Sequence, residues 1–320
     1  MVLSIKMHIS EKKIAVCSRS FSKNKILRRE LEVKYKNIRF NDEGLNLKGE
    51  SLVEFLQGST HAIIALEKID DDVLSKLHKL KVISKYGVGL DMIDMQAMQK
   101  HNIKLGWTGG VNRRSVSELV ISFAIDLLRH VSASHREVLD GTWRQHVGGH
   151  LSGRTVGIIG CGYVGKDLVK LLQPFECSIL VNDIENYSDF YKKYHIEPVD
   201  KNELLARSDI VTLHTPLDDS TRNMLTAERL SLMKDDAILI NVARGNLLDE
   251  NVLKKMLLSG KLGGAALDVF SIEPPEDKEL LELPNLIVTP HIGGSSNEAI
   301  MEMGRAAIEG IENAVDVLIT

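Results

Sequence analysis

Short apolar runs alternate with charged, helix-like stretches through the first hundred residues: IAV at 14–16, AIIAL at 62–66 and VIS at 82–84. Runs of this length between amphipathic segments predict strands and helices in turn, an α/β pattern. A strand-like IKLGW at 103–107 leads into the Gly-containing loop TGGVNRR. Beyond it Val116, Leu119, Val120, Phe123, Ala124, Leu127, Leu128 and Val131 recur at steps of three and four. That spacing predicts one buried stripe on a long helix over 115–131, with Ser115 and Glu118 at capping-box spacing at its start. HVGGHLSGRT at 146–155 is rich in Gly and without period, and reads as a connector into a new unit.

From Thr155 the winding becomes regular: TVGIIG, SILVND, DIVTLH, AILINV, GGAALDVF and LIVTP are strand-like, with helical segments between them. Repeated βα winding implies a parallel sheet with helices on both faces, and the nearly continuous apolar character of AILINV suits a strand covered on both sides. A last helix is expected from about Asn297 to Leu318, with Ile300, Met303, Ala307, Ile311 and Val315 on the face that needs a partner.

Composition narrows the class. The 320 residues carry 40 Lys+Arg and 44 Asp+Glu, a net charge of −4, with 43% hydrophobic residues. This excludes disordered and fibrous chains, argues against nucleic-acid binding through overall charge, and suggests about two domains. Cys17, Cys161 and Cys177 are too few for a disulfide framework and lack metal-ligand spacing, so a reducing compartment and no structural zinc are expected. Lys6, His8 and Glu11-Lys12-Lys13 interrupt any leader-like apolar core, and no apolar run is long enough to span a membrane. A cytoplasmic protein is expected.

Gly160-Cys161-Gly162-Tyr163-Val164-Gly165 is a GxGxxG placed between a strand and a helix, and a second strand ends at Asp183, 18 residues after Gly165. In that context the motif predicts dinucleotide binding: Gly160 for the tight turn, Gly162 for backbone approach to the pyrophosphate and Gly165 for close helix–strand packing. The helix N-terminus would present N–H groups to phosphate. Asp183 would accept hydrogen bonds from ribose hydroxyls and repel a 2′-phosphate, selecting NAD over NADP.

Three charged residues follow later strands: Arg244 after AILINVA, Glu273 after AALDVFSI and His291 after LIVTP. Ligands of doubly wound sheets bind beyond the carboxyl ends of strands, so these three are candidates for one catalytic set. A guanidinium can fork onto a carboxylate, an imidazole can carry the alcohol proton, and a carboxylate can hold the imidazole in its protonated form. Those roles suit hydride transfer on a 2-oxo acid. His214, in HTP, reads as structural.

Five ordered segments, GCGYVG, HTPL at 214–217, NVARGNLLDE at 241–250, AALDVFSIEPP at 265–275 and TPHIGG at 289–294, resemble the D-isomer-specific 2-hydroxyacid dehydrogenase family, which includes phosphoglycerate dehydrogenase. KYGVGLDMIDMQAMQKHNI at 85–103 and VNRRSVSELVISFAIDLLR at 111–129 agree, and residues 1–60 match less distinctively. The resemblance implies an α/β fold of two Rossmann-like doubly wound parallel-sheet domains with a cleft between them. The substrate-binding domain would take residues 1–106 plus 293–320, and the NAD-binding domain 107–292. It implies Arg244 on the substrate carboxylate, His291 as acid/base with Glu273 as its partner, and Thr215, Val242, Ala243, Asp268 and Gly293 beside the nicotinamide half of NAD. It further implies substrate contacts from Lys85, Tyr86, Gly87 and Val88, and a homodimer through the NAD-binding domain, with an arm around Trp143.

Lys85 stands where phosphoglycerate-type members often carry arginine, and Arg113, Arg114 and Arg144 are further candidate cations for a phosphorylated substrate. Hydroxypyruvate or glyoxylate reduction stays open. So does an NAD(H)-sensing co-repressor, by fold analogy alone. A formate-type relative would carry glutamine in place of Glu273. No serine-feedback domain is expected after Thr320.

Overall fold

The computed structural model describes residues 10–317. The N-terminal residues 1–9, read above as no leader, and Leu318, the expected end of the last helix, lie outside the described residues. The chain divides into two units, residues 1–112 with 297–320, and residues 113–296. The expected junctions at 106/107 and 292/293 lie a few residues from these. Both observed junctions fall where a helix begins, at Arg113 and Asn297.

In the first unit β1 (Ser10–Val16), β2 (Tyr35–Phe40), β3 (His61–Ile64), β4 (Val82–Lys85) and β5 (Lys104–Gly106) form a parallel sheet ordered β2-β1-β3-β4-β5. The chain leaves β1 toward one side and returns to the other, so the winding reverses between β1 and β3. The central strands are shielded on both faces: His61–Ile64 and Val82–Lys85 are buried throughout. Leu52, Leu56 and Met98 fill one side of this sheet, and Phe21, Leu27 and Leu31 the other.

In the second unit β6 (Thr155–Ile159), β7 (Ser178–Asn182), β8 (Glu197–Pro198), β9 (Ile210–Leu213), β10 (Ala237–Asn241), β11 (Leu262–Leu267) and β12 (Leu286–Val288) form a parallel sheet ordered β12-β11-β10-β9-β6-β7-β8. This is the doubly wound order of dinucleotide-binding sheets, with its reversal between β6 and β9. Ala237–Asn241 is buried at every position, as the apolar run predicts.

Two helices differ from the pattern. The stripe predicted over 115–131 occupies a helix Arg113–Arg129, so Ser115 lies inside it and does not cap it. His130 then adopts φ 56, and a second helix runs Val131–Leu139 with Val131 54% exposed. Asp126 causes the break: its carboxylate accepts from the Ser132 N–H (2.7 Å) and hydroxyl, pulling the chain out of the first helix. The last helix ends at Gly310, before the expected Leu318, and Val315 instead bridges antiparallel to Leu105.

Gly310 ends that helix against the first sheet. A Cβ on Gly106 would lie 2.2 Å from the Gly310 carbonyl oxygen, a backbone contact with no flexible atom to yield. Gly106→Ala is expected to lower the urea midpoint by an equivalent of about 1–3 kcal/mol or more. An unchanged midpoint in equilibrium unfolding would remove this contact.

Candidate active site

The register of the second sheet places six strand ends in one row. Val288 pairs with Leu267, Leu267 with Asn241, Asn241 with Leu213, Leu213 with Ile159, and Ile159 with Asn182. At about 4.8 Å between strands the row spans roughly 24 Å. The cofactor and catalytic candidates of this unit follow it closely: Gly160 and Asp183 by one residue, Thr215 by two, Arg244 and His291 by three, and Glu273 by six.

At the β6 end, Gly160 adopts φ 98, and a Cβ there would lie 2.7 Å from the His214 carbonyl group. A Cβ on Gly165 would lie 2.2 Å from the Gly160 carbonyl oxygen, so helix and turn touch through backbone. Around Gly162 a Cβ would meet nothing within 4 Å. The helix Tyr163–Leu172 begins there without a side-chain cap, leaving its first N–H groups for another acceptor. Tyr163 is exposed and Val164 partly buried beside it. Asp183 is tied to this turn, since its carboxylate accepts from the Cys161 N–H and, at 2.8 Å, from the Glu185 N–H.

Thr215 adds an independent sign: its hydroxyl oxygen is buried and has no hydrogen-bond partner among the described residues. Buried hydroxyls are normally satisfied. Open space at Gly162, an uncapped helix, an orphaned hydroxyl two residues past β9 and an acid past β7 together fit a dinucleotide such as NAD. Val242 is buried and Ala243 partly buried beyond β10. His214 matches its structural reading, with Nε2 3.0 Å from the Thr212 hydroxyl and its pKa pushed down to about 3 by burial.

At the β11 and β12 ends, His291 Nδ1 lies 2.9 Å from Glu273 Oε2, and both side chains are over 40% exposed. The other Glu273 oxygen accepts from the Phe270 N–H at 3.2 Å. His291 has φ 56, a left-handed backbone that a histidine seldom adopts. It is held there by bonds from its N–H to the Asp268 and Thr289 carbonyl oxygens (2.9 and 3.0 Å).

Asp268 is the knot of this loop. Buried to 1% exposure, its carboxylate accepts from the Thr289 hydroxyl (2.5 Å), the Ile292 N–H (2.7 Å) and the Gly293 N–H (2.8 Å). Its oxygens are therefore engaged in positioning His291, a role that chain pattern alone did not reveal. Arg244 sits in a turn fixed by Asn241, whose side chain donates to the Arg244 carbonyl (2.8 Å) and accepts from the Ala243 N–H (3.1 Å). Arg244 Nη1 donates to the Ala243 carbonyl at 2.6 Å. A Cβ on Gly245 would fall 1.9 Å from the Phe270 carbonyl carbon, so the arginine turn rests directly on the Glu273 loop.

The substrate-loop candidates belong to the first unit, at the end of β4. Lys85 is 3% exposed and its ammonium donates to the Ala65 carbonyl. Tyr86 packs edge-on against Phe21 at 5.6 Å, Gly87 has φ 122, and the Val88 carbonyl accepts from Trp107 at 2.9 Å. Of the cations considered for a substrate phosphate, Arg114 is engaged elsewhere and Arg144 is exposed. Arg114 forks onto buried Asp167 at 3.0 Å, and Arg144 lies 4.0 Å from Glu137. Among the described residues no His/Cys/Asp/Glu group is arranged to hold a metal, and no helix is long and apolar enough to cross a membrane.

A family model, D-isomer specific 2-hydroxyacid dehydrogenase, NAD binding domain, matches residues 121–293. A D-3-phosphoglycerate dehydrogenase from Methanocaldococcus jannaschii is 36% identical over 273 residues, 84% of this chain and 52% of that one. The chain thus spans about half the length of that relative. A hydroxypyruvate reductase from Thermotoga maritima is 36% identical over 250 residues, 76% of this chain and 80% of that one. Among solved structures, a Polaromonas protein described as a D-isomer specific 2-hydroxyacid dehydrogenase is 27% identical with a TM-score of 0.87, covering 97% of this chain and 99% of that one.

The Asp268 knot generates a prediction. Asp268→Asn puts an amide donor against either the Ile292 or the Gly293 N–H, which bond different carboxylate oxygens, and is expected to cost about 1–3 kcal/mol of stability and to release His291. Turnover should fall at least tenfold on the proton-transfer step; urea unfolding and kcat both at wild-type values would refute the positioning role.

Proposed function

The chain belongs to the D-isomer specific 2-hydroxyacid dehydrogenase family, and we propose that it interconverts a D-2-hydroxy acid and its 2-oxo acid with NAD as hydride partner. The observation that carries this reading is the His291–Glu273 pair, 2.9 Å apart beyond the same row of strand ends that carries the glycine turn. When bound, NADH supplies the hydride to C2. Arg244 holds the substrate carboxylate through its guanidinium fork. Protonated His291 donates from Nε2 to the C2 oxygen and recovers that proton in the reverse direction, while Glu273 holds Nδ1 and fixes the ring.

Relatives named D-3-phosphoglycerate dehydrogenase and hydroxypyruvate reductase match at the same 36% identity. Phosphohydroxypyruvate, hydroxypyruvate and glyoxylate are therefore the first substrates to assay. Turnover of any of them would exclude a purely sensing, co-repressor role.

Assembly is proposed to be a homodimer through the second unit. The helix Val131–Leu139 has no buried residue, and Val138, Leu139, Trp143 and Val147 are 48%, 72%, 84% and 96% exposed. So apolar a segment is costly to leave in water and suits an arm covered by a second copy. Three free thiols, two of them buried, support a reducing cytoplasmic setting.

Two measurements test the reading. His291→Ala should lower kcat by roughly 10²–10⁴-fold and leave NADH affinity, read by fluorescence titration, within a factor of a few. Unaltered kcat would remove the acid/base role. Wild-type enzyme should prefer NADH to NADPH, and Asp183→Ala should narrow that preference; a native preference for NADPH would overturn the role given to Asp183.

A further inference from the structure

Glu273 rides on a stretch without helix or strand, in which Ser271, Ile272, Glu273 and Pro274 are all exposed. Such a loop has little packing to hold its shape, yet the His291–Glu273 pair needs one orientation of the carboxylate. The hold comes from the helix Glu250–Leu258, which follows the Arg244 turn. Both carboxylate oxygens of Glu250 go to Ser271: Oε1 accepts from its N–H at 2.6 Å and Oε2 from its hydroxyl at 3.0 Å. One helical turn on, the Lys254 ammonium donates to Asp277 (2.8 Å) and Glu279 (3.0 Å), beyond the other end of the loop. Positions four apart share a helix face, so a single face grips the chain on both sides of Glu273.

This helix is a firm base for the grip. Asp249 caps it by accepting from the Asn251 and Val252 N–H groups at 2.9 and 3.2 Å, so the Glu250 carboxylate is not needed at its own helix N-terminus. Leu247 and Leu248, just before it, are buried, and the Asn246 and Leu247 carbonyls accept from the Asn223 and Leu225 N–H groups (2.8 and 3.1 Å). The consecutive N–H groups of Phe270 and Ser271 are taken by two different carboxylates, Glu273 and Glu250. The first bond folds the loop back on itself, and the second ties it to the segment that carries Arg244. Hydrogen bonds from backbone N–H to a carboxylate are roughly twice as strong as neutral ones. The Lys254 pairs, whose acids are 39% and 68% exposed, count for less.

We propose that Glu250 is a positioning residue for the proton-transfer pair: by fixing Ser271 it holds the Glu273 carboxylate where it meets His291 Nδ1, with Lys254 steadying the far side of the loop. The proposal rests on the dehydrogenase reading for what the pair does. Glu250 acts through Ser271 and Glu273 and is not itself a catalytic residue. Its geometry matters more than its charge, because glutamine can present an oxygen to the Ser271 N–H and an amide donor to the Ser271 hydroxyl oxygen.

Substitutions along the clamp test it, with hydroxypyruvate and glyoxylate as substrates. Glu250→Ala should lower kcat roughly ten- to hundredfold and leave both KM for the 2-oxo acid and NADH affinity, read by fluorescence titration, within a factor of about three. Glu250→Gln should return kcat to within a factor of about three of wild type. Lys254→Ala should lower kcat about two- to fivefold. Amide hydrogen exchange gives a readout independent of turnover: exchange at Ser271 should quicken in Glu250→Ala and keep the wild-type rate in Glu250→Gln. Should Glu250→Ala not fold, Ser271→Ala at an exposed position removes only the hydroxyl bond and should still lower kcat about threefold or more; wild-type kcat in that variant would overturn the clamp. Quickened exchange in Glu250→Ala, with no 2-oxo acid turned over by the wild type, keeps the clamp and discards the dehydrogenase reading. Unchanged exchange and kcat in Glu250→Ala, or a Glu250→Gln variant as slow as Glu250→Ala, overturns the positioning role.

Discussion

Parallel register is the constraint on which the second unit depends. Because Val288, Leu267, Asn241, Leu213, Ile159 and Asn182 share one row, the loops that follow them all leave the sheet at the same level and on the same edge. A slip of one residue in a single strand would turn its buried side chains to the other face and shift its loop along the edge. The hydrophobic cost of that slip is what fixes the level of the site. Ala237–Asn241 is buried at every position, so a slip there would exchange side chains between two packed faces and misfit both.

Register places the loops but does not shape them. That task falls to polar side chains at strand ends, several of which hold the loop of the strand next door. Asp183 after β7 binds the backbone of the turn after β6, Asp268 after β11 binds the loop after β12, and Asn41 after β2 binds the end of β1. Asn241 does the same within its own turn. Each of these groups satisfies backbone N–H or carbonyl groups that a buried turn would otherwise leave unpaired. The left-handed conformation of His291 persists because Asp268 accepts three hydrogen bonds from its surroundings and gives its carbonyl to a fourth. Such strain at a reacting residue is tolerated only where the neighbours over-determine it.

Both sheets reverse their winding once, between β6 and β9 in the second unit and between β1 and β3 in the first. At each reversal two adjacent loops diverge to opposite faces and leave a hollow between them. The second unit lines its reversal with glycines and uncapped N–H groups, which suit a ligand bearing phosphates close to the backbone. The first lines its own with longer side chains of mixed character, Arg19, Lys23, Asn46 and Glu67 among them.

The chain's pattern alone determined the α/β class, the winding after Thr155, the glycine turn and the strand ends carrying Arg244, Glu273 and His291. These are local properties, written in short apolar runs and fixed spacings. It did not reveal β2, whose YKNIRF is an edge strand with mostly polar, exposed positions, or the two-residue β8. The break at His130 depends on Asp126 reaching Ser132, and the end of the last helix on Gly310 meeting Gly106. Only the tertiary structure could assign Arg114 to Asp167 and Asp268 to the His291 loop. Those partners stand 20 or more residues apart in the chain, and it is the packing of two helices in the first case and the pairing of β11 with β12 in the second that brings them within hydrogen-bonding reach.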